Sequence, residues 1–334
     1  MTHLFRLMAP LLTFVAAVAL AQTPRFETMP TEGTRWFKGN THTHTLESDG
    51  DSPPDTVISW YKRHGYDFLV ISDHNVFVSP ARFSHFVDSS FLLIAGEELT
   101  TAFGKKPVHI NGLNIPGVIQ TIKDTTLLGT VQKNVDAVRE VEGVPHINNP
   151  NFGGAISAEI LAQVQNDKLI EIFNGHPLVN NVGGGDSPGM EEVWDMLLTR
   201  GKRIYGIAVD DAHHFKEEFA PDRSNPGRGW VVVRSRTLAP QEILSRMEAG
   251  QFYASTGVVL DDVIVTPTTV EIRIRKKGDF KFTTEFIGDG GKVLLRTGAN
   301  PAIYTLGGSP TYVRARVMDS NGAVAWVQPT FVIK

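Results

Sequence analysis

The sequence predicts an α/β chain: a barrel of about seven parallel strands with helices between them, followed by a small antiparallel β module. Three observations predict it. Short continuous apolar runs alternate with amphipathic helical patterns over most of the chain, as β/α units do when their strands are buried on both faces. Most of those runs end in His, Asp or Glu, as expected where a barrel gathers its site at the C-terminal rim of its strands. From about residue 262 the pattern becomes strict apolar/charged alternation broken by Asp289-Gly290 and Asn321-Gly322, which is the period and turn chemistry of hairpins.

Composition sets the limits. With 334 residues and 41% hydrophobic content, the chain can bury one large core and carry a second, smaller one. A net charge of -4 without a basic run gives no electrostatic footprint for nucleic acid. Cysteine is absent, so no disulfide or lipidated cysteine is available, and any metal must be held by His, Asp, Glu or water. Arg6, the apolar run Leu7 to Leu20 and the small-x-small Ala19-Leu20-Ala21 read as a signal peptide over residues 1–21. Cleavage near Ala21 would export the mature chain to the periplasm or beyond. The run is short for a membrane span, which takes about 20 residues, so no stable span is expected.

Residues 22–34, rich in Pro, Thr and Gly, read as a linker into the barrel, whose expected extent is 35–255. Trp36-Phe37 opens a strand that delivers His42 and His44, two apart and therefore on one face of an extended backbone. Asp49 follows in a Ser-Asp-Gly turn that can bring a carboxylate back toward them. Ser52 reads as a helix N-cap with Pro53 in the first helical position and Asp55 as capping-box acid; Val57, Ile58 and Tyr61 form the apolar face and Gly65 ends the helix. His64 in its last turn is a favourable charge against the helix dipole, and His85 reads as surface. The run from Phe68 to Ile71 then ends in Asp73 and His74.

The same grammar recurs. Phe91 to Ala95 runs into Gly96-Glu97-Glu98, Pro107-Val108 into His109, and Gly143-Val144-Pro145 into His146 after a helical stretch of about 128–142. Leu169 to Phe173 leads to Asn174 and His176, which lie at the same rim without a ligand position. Arg203 to Val209 delivers Asp210, Asp211, His213 and His214. Trp230 to Arg234 and a helix over 240–250, with Ile243, Leu244 and Met247 as its stripe, complete the barrel. Residues 256–334 then read as a β-sandwich-like module.

Taken in order, His42-x-His44, Ser48-Asp49-Gly50, Ser72-Asp73-His74, Gly96-x-Glu98, the mid-chain His109 and His146, and the late Asp211-x-His213 resemble the polymerase and histidinol phosphatase (PHP) metallohydrolase family over roughly residues 36–250. The likeness is nearest to a secreted branch that includes a carbaryl-hydrolysing enzyme. The resemblance implies a distorted seven-stranded barrel and two or three divalent metal ions held by His42, His44, Asp49, His74, Glu98, His109, His146, Asp211 and His213. Glu97 and Glu98 compete for one position; strand alternation and the Gly-x-Glu spacing both favour Glu98. Asp210 competes with Asp211, whose spacing to His213 matches the family and leaves Asp210 for supporting the site or transferring a proton.

Zn, Mn and Fe all suit such a His/carboxylate set. Metals held by neutral imidazoles and a few carboxylates keep a surplus of positive charge, which favours a small anionic substrate, and a bridging hydroxide is the expected nucleophile. Arg223, Arg228 and Lys105 fall on loops where they are candidates for binding a phosphate, their other reading being solvated surface charge. The expectation is a secreted metal-dependent phosphoesterase. Its alternatives are a carbamate, amide or ester hydrolase and a non-catalytic metal-containing binding protein of the cell envelope. Structural metal sites are closed and single, whereas this many ligands at one rim favour catalysis.

Overall fold

The computed structural model describes residues 25–308 and 310–333; the expected signal peptide lies outside the described residues. The first part of the chain is β1 (Arg25–Phe26), β2 (Arg35–Asn40), α1 (Pro54–Arg63), β3 (Phe68–Val70), β4 (Leu92–Ile94), β5 (Gly96–Phe103), β6 (Lys106–Leu113), α2 (Leu127–Glu140) and β7 (Val144–Ile147). It continues through α3 (Ala158–Leu161), β8 (Leu169–Asn174), α4 (Met190–Thr199), β9 (Tyr205–Val209), β10 (Trp230–Ser235), α5 (Pro240–Glu248) and β11 (Phe252–Ser255). The C-terminal strands are β12 (Leu260–Val265), β13 (Thr269–Ile274), β14 (Phe282–Gly288), β15 (Lys292–Thr297), β16 (Ala302–Thr305), β17 (Tyr312–Asp319) and β18 (Val324–Ile333).

The chain is α/β, but its strands do not close into a seven-stranded parallel barrel. One sheet runs β4-β3-β2-β10-β11-β18-β17-β14-β15, and a second runs β5-β6-β7-β8-β9. Only part of each is parallel: β2-β3-β4 and β7-β8-β9 are, whereas β5-β6-β7 pair antiparallel and β10 joins β2 antiparallel. The apolar run after residue 90, expected as one strand, is split. Leu92–Ile94 pairs with β3, and the chain then changes sheets so that Gly96 pairs with Leu113 of β6. A Cβ at Gly96 would lie 2.4 Å from Val70 Cγ1, so the crossing point accepts nothing larger than glycine. Two isolated parallel bridges, Thr43 to Ala212 and His74 to Glu98, connect the sheets at their facing ends. The seams between sheets are therefore where the metal-type residues lie.

The helices cover the outside of these sheets with the stripes their sequences carry. Val131, Val135 and Val138 of α2, Trp194, Leu197 and Leu198 of α4, and Ile243, Leu244 and Met247 of α5 are buried. Burial of such side chains contributes about 1.5–3 kcal/mol each before entropy is subtracted. The start of α1 differs from expectation: Pro53 occupies the N-cap, Pro54 begins the helix, and no side chain caps it. Ser52 instead donates to Asp51. Residues Arg25 and Phe26, expected in a linker, form β1 against β18 because Phe26 fills the second core, where it is 1% exposed.

That second core lies between β12-β13-β16 and the C-terminal strands of the large sheet, around Val263, Ile272, Phe286 and Val317. The sheet itself runs without a break across residue 255, through the pairing of β11 with β18. Strand β14 starts at Phe282, later than the alternation at Phe280 suggests. On β17 the alternation holds, but its arginine face is not solvent: Arg314 is 2% exposed and pairs with Asp195 of α4. Gln328 of β18 donates to the Gly206 carbonyl at 2.8 Å and accepts from the Gly206 amide at 2.9 Å, pairing with β9 as a backbone peptide would.

Candidate metal centre

Strand β2 ends at Asn40, whose side chain accepts from the His42 amide at 2.8 Å, and the His44 amide then donates to the Ala212 carbonyl at 2.9 Å. This extended segment sends both imidazoles inward, where they are fully buried. His42 Nε2 lies 3.2 Å from Glu98 Oε2 and 3.2 Å from Asp211 Oδ1; His44 Nε2 lies 3.4 and 3.1 Å from the same two oxygens. Glu98 also receives His74 Nδ1 at 2.9 Å and His109 Nδ1 at 3.0 Å, one on each oxygen. Asp49 stands at the mouth, 54% exposed, 3.3 Å from His213 Nε2 and 3.5 Å from His74 Nε2.

Two sets have ligand atoms within 4.8 Å of one another: His44, Asp49, His74 and His213; and His42, His44 and Glu98. Two atoms each about 2.1 Å from one ion, at right-angled to tetrahedral spacing, stand about 3.0–3.4 Å apart. The nitrogen–oxygen separations of 3.1–3.4 Å around His42, His44, Glu98 and Asp211 therefore fit metal ligation. Two further features fit. His44 Nδ1 and His146 Nδ1 are buried without a hydrogen-bond partner. Burial, with the neighbouring His213 and His42 respectively, pushes these two rings down to about 4 and about 3, so both are neutral and free to give a lone pair. Burial alone would raise Asp211, but His42, His44 and His213 hold its carboxyl well below the usual range.

His146 is set back from both sets, its Nε2 3.4 Å from the Thr41 carbonyl and its Nδ1 3.9 Å from Glu171. The Glu97/Glu98 competition resolves in space. Glu98 faces the site, while Glu97 is buried away from it and accepts from the Ile119 amide. Asp211 takes a left-handed backbone, φ 49°, held by the Ser224 hydroxyl on its carbonyl, and this turn directs its carboxylate inward.

Asp210 does not reach the site for proton transfer. Its carboxylate accepts from the Arg228 and Gly229 amides at 2.6 and 2.8 Å and from the Tyr61 hydroxyl at 2.8 Å, so it ties the β9 loop to α1. The three basic candidates are likewise elsewhere. Arg223 is exposed beside Glu217, Lys105 sits in the β5–β6 turn, and Arg228 spends its guanidinium on the Gly175 and Ala220 carbonyls. Among the described residues no Lys or Arg lines the cavity over the cluster, which encloses about 230 Å³ and is walled by Asn149, Phe152, His176 and Val179 opposite the ligand set. A larger hollow of about 430 Å³, at the other end of β9 beside Arg203, Tyr205 and Gln328, holds no convergent set of metal-type side chains.

Sequence reading missed the supporting residues. Glu171 Oε1 lies 2.6 Å from His42 Nδ1, which fixes that ring so that Nε2 faces the cluster, and its other oxygen accepts from Asn149 N and Asn174 Nδ2. The available signal was a lone carboxylate inside the apolar run Leu169 to Phe173. Asn148 donates to Glu98 Oε1 at 2.8 Å. Asp73 accepts from the Thr45 amide, the Thr45 hydroxyl and Ser48, anchoring the loop that carries Asp49.

No family model matches the chain. The 5'-3' exoribonuclease Rnm of Escherichia coli (strain K12) is 28% identical over 204 residues, which cover 57% of this chain and 67% of that protein. A two-domain protein from Bacteroides vulgatus ATCC 8482, described as containing a predicted PHP-like metal-dependent phosphoesterase, shares the fold with a TM-score of 0.53 at 15% identity. That match covers 93% of this chain and 100% of the other. The ordered His, Asp and Glu motifs are thus set around one cavity, on a fold that is shared along nearly the whole chain with a protein described as containing a PHP-like phosphoesterase.

Proposed function

We propose that the chain is a metal-dependent hydrolase of small phosphate esters. The observation that carries this reading is the cluster around His44 and Glu98, in which the carboxylates are faced by imidazoles, without Lys or Arg among the described residues, and open to a cavity. His42, His44, Asp49, His74, Glu98, Asp211 and His213 would hold the metals, with His109 and His146 at the edge. Bound divalent ions would supply Lewis acidity toward the phosphoryl oxygens and lower the pKa of water. The protein's own part is to position: Glu171 and Asn148 orient ligands, Asp73 holds the Asp49 loop, and the Asn149–Phe152 and His176–Val179 walls confine the substrate.

A small ester suits the dimensions. The cavity is about 230 Å³ and no cationic side chain lines it among the described residues, whereas a nucleic-acid backbone is gripped by Lys and Arg at each phosphate. Export and a cut near Ala21 belong to the same reading, carried by the apolar run before Gln22; among the described residues no helix is long and apolar enough to cross a membrane. The test is turnover on phosphate monoesters, carbamates, amides and a single-stranded oligonucleotide at several salt concentrations. Monoester hydrolysis with a shallow salt dependence is expected. Efficient oligonucleotide cleavage that falls steeply with salt would replace the substrate class, and preference for an uncharged carbamate would replace the reaction.

A further inference from the structure

We infer that His176 donates a hydrogen bond from Nε2 to the leaving-group oxygen of the ester, an assignment that rests on the phosphoesterase reading above. The tautomer follows from the backbone. The Leu178 amide donates to His176 Nδ1 at 3.2 Å, so Nδ1 holds a lone pair and the hydrogen of the neutral ring is on Nε2. The ring lines the cavity, edge-on to His213 with centroids 5.5 Å apart, yet it belongs to neither set of clustered metal-type atoms.

The ring is held stiffly. Asn174 Oδ1 accepts from the His176 amide at 2.8 Å, and Asn181 exchanges two hydrogen bonds with the Asn174 backbone. Just before it, the Gly175 amide donates to Val209 O, and a Cβ on Gly175 would lie 2.7 Å from Asp210 O and 2.8 Å from Arg228 Cβ. The turn must be glycine for β8 and β9 to come this close, and Arg228 clamps its carbonyl. Arg228 thus serves the site by positioning His176.

The chemistry asks for such a donor. As the P–O bond breaks, negative charge gathers on the leaving oxygen, and no Lys or Arg is on hand among the described cavity residues to meet it. A fixed N–H aimed at that atom strengthens as charge develops, lowering the barrier without transferring a proton or changing the charge of the ring. His74, His109 and His213 are engaged with Glu98, Asp49 or Asp211; Asn149, which also lines the cavity, offers a weaker, amide donor.

The test uses a series of aryl phosphates whose phenols range from strongly to weakly acidic, with metal content measured on the same samples. His176→Asn keeps an acceptor near Nδ1 for the Leu178 amide but removes the Nε2 donor; His176→Gln places an amide N–H close to Nε2. With Asn, kcat/KM should fall only slightly for the most acidic phenol and on the order of 100-fold for the least acidic, steepening the leaving-group dependence. Gln should recover most of that loss, and all three proteins should carry the same metal. A loss equal across the series, or a drop in metal content with Asn, overturns the assignment. A wild-type protein that is metal-loaded and hydrolyses none of the series removes the phosphoesterase reading itself, and this assignment with it.

Discussion

Two buried charge clusters, one at the strand ends and one where α4 meets β17, are built on opposite plans. At the second, Arg314 forms a fork on Asp195, Nε to Oδ1 at 2.7 Å and Nη2 to Oδ2 at 2.6 Å, with Tyr312 adding its hydroxyl; Arg316 bridges Glu191 and Glu285, and Arg296 closes on Glu285. Each carboxylate there has a permanent cation. At the first, Glu98, Asp211 and Asp49 meet imidazoles and neutral amide or hydroxyl donors but no Lys or Arg among the described residues. Burial penalises both arrangements, but one is neutralised by the fold and the other has charge to share with an ion from outside. A buried ionic group is a site only when the chain leaves its charge unanswered.

That contrast can be broken most directly at Asp211 and His213. Replacing either with Ala should lower turnover by orders of magnitude and reduce bound metal, while the metal-free protein unfolds at about the same denaturant concentration as wild type. Wild-type protein should hold more than one equivalent of Zn, Mn or Fe by elemental analysis; a single equivalent, or full activity in excess chelator, defeats the cluster. Arg314→Ala should do the reverse, costing about 3–5 kcal/mol in urea denaturation because Asp195 is left buried and unpaired, with metal content unchanged. Loss of metal without loss of stability would mean the two clusters are one system.

Smaller effects sharpen the division. Glu171→Gln should weaken metal affinity about 10–100-fold in competition with a chelator, since it lets His42 turn; unchanged affinity would demote Glu171 to a core residue. In metal-free protein, burial works to lower His74, but Asp49 and Glu98 outweigh it and raise the ring to about 10. The raised value means a stabilising contribution complete below pH 6.5 and lost as pH rises toward 10, so melting temperature should decline over that window, and less so in His74→Gln. An equal decline in both proteins would count against this pair of contacts. Smallest of all, Arg223→Ala and His64→Ala should leave turnover within about twofold, because an exposed ion pair and a helix-end charge are worth under about 1 kcal/mol.

What the sequence made legible was local. His42 and His44 two apart, Glu98 on the face of Ile94 and Gly96, and acidic and imidazole groups after apolar runs all follow from strand periodicity and chain direction, and the structure brings these residues together. What it hid was pairing at long range. Nothing near Arg314 announces Asp195, 119 residues earlier, and nothing in Pro107–His109 announces that β6 runs antiparallel. Spacing to His213 favoured Asp211 over Asp210, but the left-handed φ that turns the Asp211 carboxylate inward is not encoded in that spacing. The basic loops misled for a related reason: Arg228 and its backbone partner Gly175 are 53 residues apart, so its occupation was invisible.

The side chain of Gln328 stands in for a strand on β9, 122 residues after the glycine it grips. During synthesis, β9 and the ligand-bearing turn behind it leave the ribosome long before their prop exists. Loop closure over such a separation is slow, so the order of birth and the order of assembly differ. A nascent chain would gain this support for β9 only after the 122 residues that separate Gly206 from Gln328 have been made, so the turn that follows β9 is finished well after its own synthesis.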